Sequence, residues 1–476
     1  MSFVSTHPDF AAPRIAVLGG GPGGYEAAAV AASLGAKVTV IERNGLGGAA
    51  VLTDVVPSKT LIATADLMAR VSEAHSLGVR FEVDSGAPTM VADLEHIDRR
   101  VMELAQEQSD DIRRSLEEAG VKVLIGDGVL QDDRTIKVTT KSGSVRTVDA
   151  DAIILAVGAH PRELPSAKPD GERILNWTQL YNLTTLPEEL IVVGSGVTGA
   201  EFASAYNGLG SKVTLISSRD QVLPGEDSDA ADVLEEVFER RGVRVLSRSR
   251  AEKVERTEDG VLVTLGDGST ITGTHCLMCV GSIPNTEGIG LENAGVALTD
   301  SGHIKVDGVS RTTAHNVYAA GDCTGVFALA SVAAMQGRIA VAHIMGDGVR
   351  PLKLNEVASN IFTSPEIASV GVSEKDLSTG RYQGDVVMLP LKSNPRAKMR
   401  NSKDGFVKII SRKGSGTVIG GVVVGPNASE LIYPIGLAVA KKLHVDDVAS
   451  TFTVFPSLTG SIAEAARRLH VHHYDG

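Results

Sequence analysis

The feature that most constrains this chain occurs twice. RIAVLGGGPGGYEAAAVAASLGAKVTVIE, residues 14–42, is an apolar run, then Gly19-x-Gly21-x-x-Gly24, an Ala-rich helical pattern, and a second apolar run ending in Glu42. ELIVVGSGVTGAEFASAYNGLGSKVTLIS, residues 189–217, repeats that order with Gly194, Gly196 and Gly199. A short apolar run, a glycine turn, a helix and a second apolar run predict a βαβ unit and a parallel sheet. Glycines at these spacings allow a tight turn, a close approach of backbone to a pyrophosphate, and close helix–strand packing. The helix N-terminus then faces the phosphates. A carboxylate at Glu42 suits ribose hydroxyls. Two such units imply two dinucleotides, and the simplest pairing is a flavin nucleotide with a nicotinamide nucleotide, meeting for hydride transfer.

The copies differ where the second strand ends. Glu42 lies 23 residues after Gly19 (42 − 19), and the equivalent position after Gly194 is Ser217, followed by Ser218 and Arg219. An acid that would repel a 2′-phosphate is replaced by hydroxyls and a guanidinium, which bind one. The second site is therefore expected to lean to NADPH while accepting NADH.

The bulk numbers exclude other classes. The chain has 476 residues, enough for two to four domains. A net charge of −12 argues against nucleic acid or an anionic membrane as a partner. No apolar run approaches the roughly 18 residues of a membrane span. The N-terminal MSFVSTHPDFAAP lacks a basic and an apolar region, so it reads as a short extension and not a signal peptide. The three cysteines, Cys276, Cys279 and Cys323, are not a secreted disulfide framework, which points to the cytoplasm. Cys276 and Cys279 spell C-x-x-C, but within an apolar strand pattern, HCLMCVG, where positions three apart face opposite sides. They read as buried structural residues.

Further segments carry a family resemblance. IILAVGAHPRELP (153–165) runs from a strand into Ala156-Val157-Gly158. Cys279-Val-Gly-Ser-Ile-Pro-Asn285 follows another strand, and NVYAAGDCTG (316–325) ends a third at Asp322. With both glycine loops, the chain from about 13 to about 468 resembles the pyridine nucleotide–disulfide oxidoreductases, most of all their dihydrolipoamide dehydrogenase-like members. The resemblance implies an α/β fold: two Rossmann-like dinucleotide-binding domains, for FAD and NAD(P), and a C-terminal α+β dimerisation domain. It places the FAD domain at 1–159, an inserted NAD(P) domain at 160–281, a return to the FAD domain at 282–350, and the interface domain at 351–476. It further implies a homodimer. Asp322 resembles the carboxylate that holds the FAD ribityl chain, and Gly48 the backbone beside the pyrophosphate. Lys59, from a P-S-K run, resembles the lysine near flavin N5, with Glu201 as its ion-pair partner. A positive charge there tunes electron acceptance. Cofactor contacts are also implied at Gly47, Gly128, Ala156, Gly158, Gly281 and Gly321.

One part of the family pattern is missing. GLGGAAVLTDVVPSKTL, residues 45–61, aligns with G-G-x-C-x-x-x-x-C-x-P, but Ala50 and Val55 stand at the two cysteine positions. Thr53 and Asp54 between them cannot replace a dithiol. The family's His-Pro…Glu acid/base pair is absent too, with Phe455 for the His and Gly460 for the Glu. Two thiols and both members of the dyad are lost as one reaction step, so disulfide reduction is not expected. Electrons from NAD(P)H are expected to leave the flavin directly for a quinone or similar small acceptor, with Phe455 a candidate wall of that pocket. This matches a thiol-less branch of the family that acts as NAD(P)H:quinone reductases. The rival reading is a non-catalytic flavin-binding protein, structural or redox-sensing.

Three other features are read as ordinary. His470, His472 and His473 follow a helical pattern without cysteine partners and are not expected to hold a metal. Residues 93–119 predict a long charged surface helix. The basic stretch 395–405 reads as a solvated hairpin.

Overall fold

The computed structural model describes residues 12–80 and 90–470. The expected N-terminal extension, and His472 and His473, fall outside the described residues. The chain divides into two compact units: Met1–Pro57, Arg100–Arg162 and Gly281–Leu352 in one, Ser58–Arg99, Glu163–Val280 and Lys353–Gly476 in the other.

The first glycine device forms the centre of the first unit. Its two apolar runs become strands Arg14–Leu18 and Lys37–Glu42, joined by helix Pro22–Ser33. They lie in a seven-stranded sheet in which Val317–Ala319, Ala152–Leu155, Arg14–Leu18, Lys37–Glu42 and Lys122–Leu130 run parallel. Thr135–Thr140 and Val145–Asp149 continue it as an antiparallel meander. The strands Arg14–Leu18 and Ala152–Leu155 are buried almost throughout, as central parallel strands covered on both faces must be. The helix is Ala-rich because it packs closely on helix Ala330–Ile344: a Cβ on Gly23 would press on Ala320 and Ala333, and one on Gly337 would strike the Gly23 carbonyl.

In the second unit the second device gives strands Glu189–Val193 and Lys212–Ile216 around helix Val197–Leu209. Their all-parallel sheet has the order Arg244–Leu246, Lys212–Ile216, Glu189–Val193, His275–Met278, Ile174–Asn176. A separate antiparallel meander spans Ala251–Gly273. The same unit holds a five-stranded antiparallel sheet, ordered Ala358–Ile361, Glu366–Gly371, Val418–Gly425, Phe406–Arg412, Gly384–Pro390. Helices Ala428–Lys441 and Gly460–Arg468 bury their apolar faces against it. Lys408, wholly buried, binds Asp227, Asp229 and Glu374 and so ties this sheet to the N-terminus of helix Ser228–Arg240. The two Rossmann-like halves and the C-terminal α+β domain are as the sequence led us to expect.

One local expectation is corrected: the basic stretch is a short helix, Pro395–Met399, capped by the Asn394 side chain, and not a hairpin. The charged helix is present as Leu94–Glu118, and Asp98, on its covered face, is 4% exposed.

Candidate functional site

The two phosphate loops have nearly the same backbone. Gly21 caps the first helix at φ −70°, ψ −176°, and Gly196 caps the second at φ −72°, ψ −175°. Neither cap makes a side-chain hydrogen bond, so no side chain blocks the helix entrance. Within each triplet the glycines have distinct causes. A Cβ on Gly19 would collide with the Ala156 carbonyl, and one on Gly194 with the Cys279 carbonyl. One on Gly24 would strike the Gly19 carbonyl, and one on Gly199 the Gly194 carbonyl. By contrast, a Cβ on Gly21 or Gly196 would meet nothing within 4 Å. The outer two glycines in each loop are packing requirements. The middle one leaves the helix entrance bare, a cradle that fits a pyrophosphate.

Around the first loop the chain folds back on itself. The Gly47 amide donates to the Gly20 carbonyl at 2.8 Å. A Cβ on Gly48, whose φ is 58°, would lie 2.8 Å from Gly21 Cα. The Gly47-Gly48 pair thus seats helix Gly48–Leu52 directly on the phosphate loop. Glu42, 8% exposed, holds the loop from the other side: Oε2 accepts the Gly20 amide at 2.6 Å and Oε1 the Asn44 amide at 2.7 Å. Both its oxygens organise backbone. Gly128 is explained by packing, since a Cβ there would strike the Leu18 side chain. Gly158, at φ 67°, follows strand Ala152–Leu155, and a Cβ there would meet nothing within 4 Å. Asp322 opens the turn after strand Val317–Ala319, preceded by Gly321 at φ 86°. Burial raises its carboxyl pKa, partly opposed by His303. A half-buried acceptor of this kind suits hydroxyl donors such as those of a ribityl chain.

The second loop is tied differently. Ser217 is fully buried; its Oγ lies 2.7 Å from Ser195 Oγ and accepts the Arg219 amide at 3.1 Å. Its hydroxyl therefore closes the loop, contrary to the expectation that it greets a 2′-phosphate. Ser218 and Arg219 are exposed at the strand end. Gly281, at φ 90°, also has open space beside it.

Lys59 and Glu201 are brought together. Lys59 Nζ donates to Glu201 Oε2 at 2.6 Å, with the glutamate side chain 4% exposed and the lysine 26%. Glu201 Oε1 accepts the Phe362 amide at 2.8 Å, and the lysine ammonium stands 5.0 Å from the centre of the Phe362 ring. Glu201 is thus satisfied at both oxygens, which is what burial of a carboxylate requires. Phe362 was not anticipated, because nothing local in its sequence announces a backbone amide aimed at a distant carboxylate.

The electron-relay positions hold no sulfur. Ala50 lies in helix Gly48–Leu52, and Val55 opens helix Val55–Ser72, 37% exposed. Phe455 is 83% exposed, near exposed Phe452 and Val454, and Gly460 opens helix Gly460–Arg468. The cysteines lie elsewhere and are buried. Burial pushes the Cys276 and Cys323 thiols up to about 12, the opposite of an activated thiolate. The Cys279 carbonyl occupies the crossing position under Gly194 that the Ala156 carbonyl occupies under Gly19. Among the described residues, no helix is long and apolar enough to cross a membrane.

Two nucleotide loops of one design, one with a Gly-Gly helix seated on it, define a class. Residues 13–337 match the family model described as pyridine nucleotide-disulphide oxidoreductase, and residues 357–466 match the model for its dimerisation domain. The chain belongs to the pyridine nucleotide-disulphide oxidoreductase family. Within that class it is similar to the NAD(P)H dehydrogenase (quinone) of Mycobacterium tuberculosis, 53% identical over 468 residues that cover 96% of this chain and 94% of the relative. It is also similar to the dihydrolipoyl dehydrogenase of Geobacillus stearothermophilus, 33% identical over 455 residues covering 94% of each. The crystal structure of LpdA from Mycobacterium tuberculosis aligns with a TM-score of 0.92 and 52% identity, over 96% of this chain and 100% of that one.

Proposed function

We propose that this chain is a flavoenzyme that oxidises NAD(P)H and reduces a quinone or similar small acceptor, without reducing disulfides. The observation that carries this reading is the combination of two well-formed phosphate loops with Ala50 and Val55 at the thiol positions. The name of the 53%-identical relative agrees with it.

FAD, held by the Gly19–Gly24 loop, Gly48 and Asp322, would supply hydride acceptance and onward electron delivery. The chain's own residues do the rest. Glu201 holds the Lys59 ammonium in place, so that the lysine, in the family's position, tunes electron acceptance. The Gly194–Gly199 loop holds the nicotinamide nucleotide, with Ser218 and Arg219 favouring NADPH over NADH. With Phe455 and Gly460 in place of an acid/base pair, no side chain there moves a proton to or from a thiol. Phe455, exposed beside Phe452 and Val454, belongs to an apolar face that a second copy covers, in a homodimer built through the dimerisation domain, and lines the acceptor pocket. Buried thiols without a disulfide framework suit the cytoplasm. A non-catalytic role leaves the buried Lys59–Glu201 pair without a purpose.

The test is anaerobic mixing with NADPH and with NADH, followed by steady-state turnover with a soluble quinone and with lipoamide. The flavin absorbance should bleach with either nucleotide, and quinone should be reduced while lipoamide is not. A flavin band that stays oxidised, or lipoamide turnover matching that with quinone, overturns the proposal.

A further inference from the structure

Arg248 stands out in the second nucleotide-binding half. It holds φ 54°, a left-handed conformation that an arginine rarely adopts. The residues around it are tied to the end of the neighbouring strand. Strands Lys212–Ile216 and Arg244–Leu246 are parallel partners, so their C-terminal ends lie side by side. The Arg248 amide donates to the Arg219 carbonyl at 2.9 Å, and the Ser249 amide to the Ser217 carbonyl at 2.7 Å. The Arg248 side chain returns over the same turn: Nε donates to Asp220 Oδ1 at 2.7 Å.

That ion pair does not explain the strained backbone. Its side chains are 79% and 78% exposed, where such a pair contributes little to stability. A left-handed φ at an arginine is the kind of outlier from which a functional role is inferred. The local charge suggests which. Asp220 sits next to Arg219, at the strand end where a nucleotide's adenosine ribose lies in this fold. Unpaired, it would repel a 2′-phosphate. Paired with Arg248, it leaves a turn with two guanidiniums and one carboxylate, net positive, with the Ser218 hydroxyl alongside.

We propose that Arg248 is a specificity-determining residue, the second guanidinium of a 2′-phosphate clamp completed by Arg219 and Ser218, and that it masks the charge of Asp220. The proposal rests on the reading of the Gly194–Gly199 loop as the nicotinamide nucleotide site.

Calorimetric titration of the holoenzyme with 2′,5′-ADP and with 5′-ADP tests it. Arg248→Gly is the informative variant, because glycine adopts the left-handed φ without strain, so the side chain, with its pairing to Asp220, is lost without a change of backbone. It should weaken 2′,5′-ADP about tenfold, the worth of one charge-assisted hydrogen bond, and leave 5′-ADP within about twofold. Arg248→Lys should restore part of the loss. Asp220→Asn should act in the opposite direction and tighten 2′,5′-ADP. If Arg248→Gly leaves 2′,5′-ADP binding unchanged, or weakens both ligands equally, the clamp is wrong while the nucleotide site stands. If wild-type protein binds neither ligand, the reading of the loop falls, and the clamp with it.

Discussion

In the first module Glu42 reaches back 22 residues to accept the Gly20 amide; in the second, Ser217 reaches Ser195 across the same separation. One tie is a buried carboxylate on backbone amides, the other a neutral hydroxyl pair. The helices behind the loops diverge in the same way. Counting from the first glycine, Glu26 of the first helix corresponds to Glu201 of the second (26 − 19 = 201 − 194). Glu26 pairs with Arg338 at the surface, whereas Glu201 is buried and pairs with Lys59. Ala27 and Ala31 correspond to Phe202 and Tyr206 by the same count. The first helix is flat because another helix lies tightly against it; the second fills its surroundings with aromatic side chains. The two loops thus share a backbone, and the residues around them distinguish the two modules.

The largest effects should come from the glycines both loops share. Gly24→Ala and Gly199→Ala each push a methyl into a backbone carbonyl and should cost roughly 3 kcal/mol or more. Gly24→Ala should yield protein without flavin, seen as lost visible absorbance, whereas Gly199→Ala should keep flavin that NADPH no longer bleaches. A common outcome for both would erase the division of labour between the modules. Next comes Glu42→Ala, which strips a buried and a part-buried amide of a charged acceptor and should cost about 3 kcal/mol in urea unfolding. Ser217→Ala removes only a neutral tie, about 1 kcal/mol, the smallest of the series. If the serine variant proved the weaker, the contrast between a charged and a neutral tie would be lost.

Between those extremes lies a pH effect confined to the second module. The carboxylate oxygens of Asp98 and the Tyr206 hydroxyl are buried with no hydrogen-bond partner among the described residues. Burial pushes the Asp98 carboxyl up to about 7 and raises the tyrosine pKa as well. An aspartate raised in the folded state favours its neutral form there. The folded protein then holds a proton that the unfolded chain releases near pH 4, so stability declines as pH rises from about 4 to about 7 and then levels off. Asp98→Asn should remove that slope and gain roughly 1–3 kcal/mol at pH 8. Melting temperatures measured across pH 5 to 8 would show it, and parallel profiles for variant and wild type would contradict it.

Much of this was legible before any coordinates. Strand, turn, helix and strand in each module follow from spacing, because a βαβ unit is set by residues close in sequence. The absence of thiols at Ala50 and Val55, and of the His and Glu at Phe455 and Gly460, is a fact of composition at fixed positions. Ser217 was misjudged because whether its hydroxyl turns toward a ligand or toward Ser195 depends on burial, which spacing does not reveal. The burial of Asp98 was not legible for a related reason: a charge run on a helix does not show which of its positions a neighbour covers.

The sequence by itself determined that there would be two glycine loops of one spacing and no cysteine at the two relay positions, since both rest on which residue stands at a given place along the chain. Only the tertiary structure decided that Gly48 seats on Gly21, that Phe362 completes the Lys59–Glu201 pair, and that Arg248 comes back to Asp220. Those contacts join segments far apart in the chain, and their geometry depends on which strands pair and how tightly the layers close.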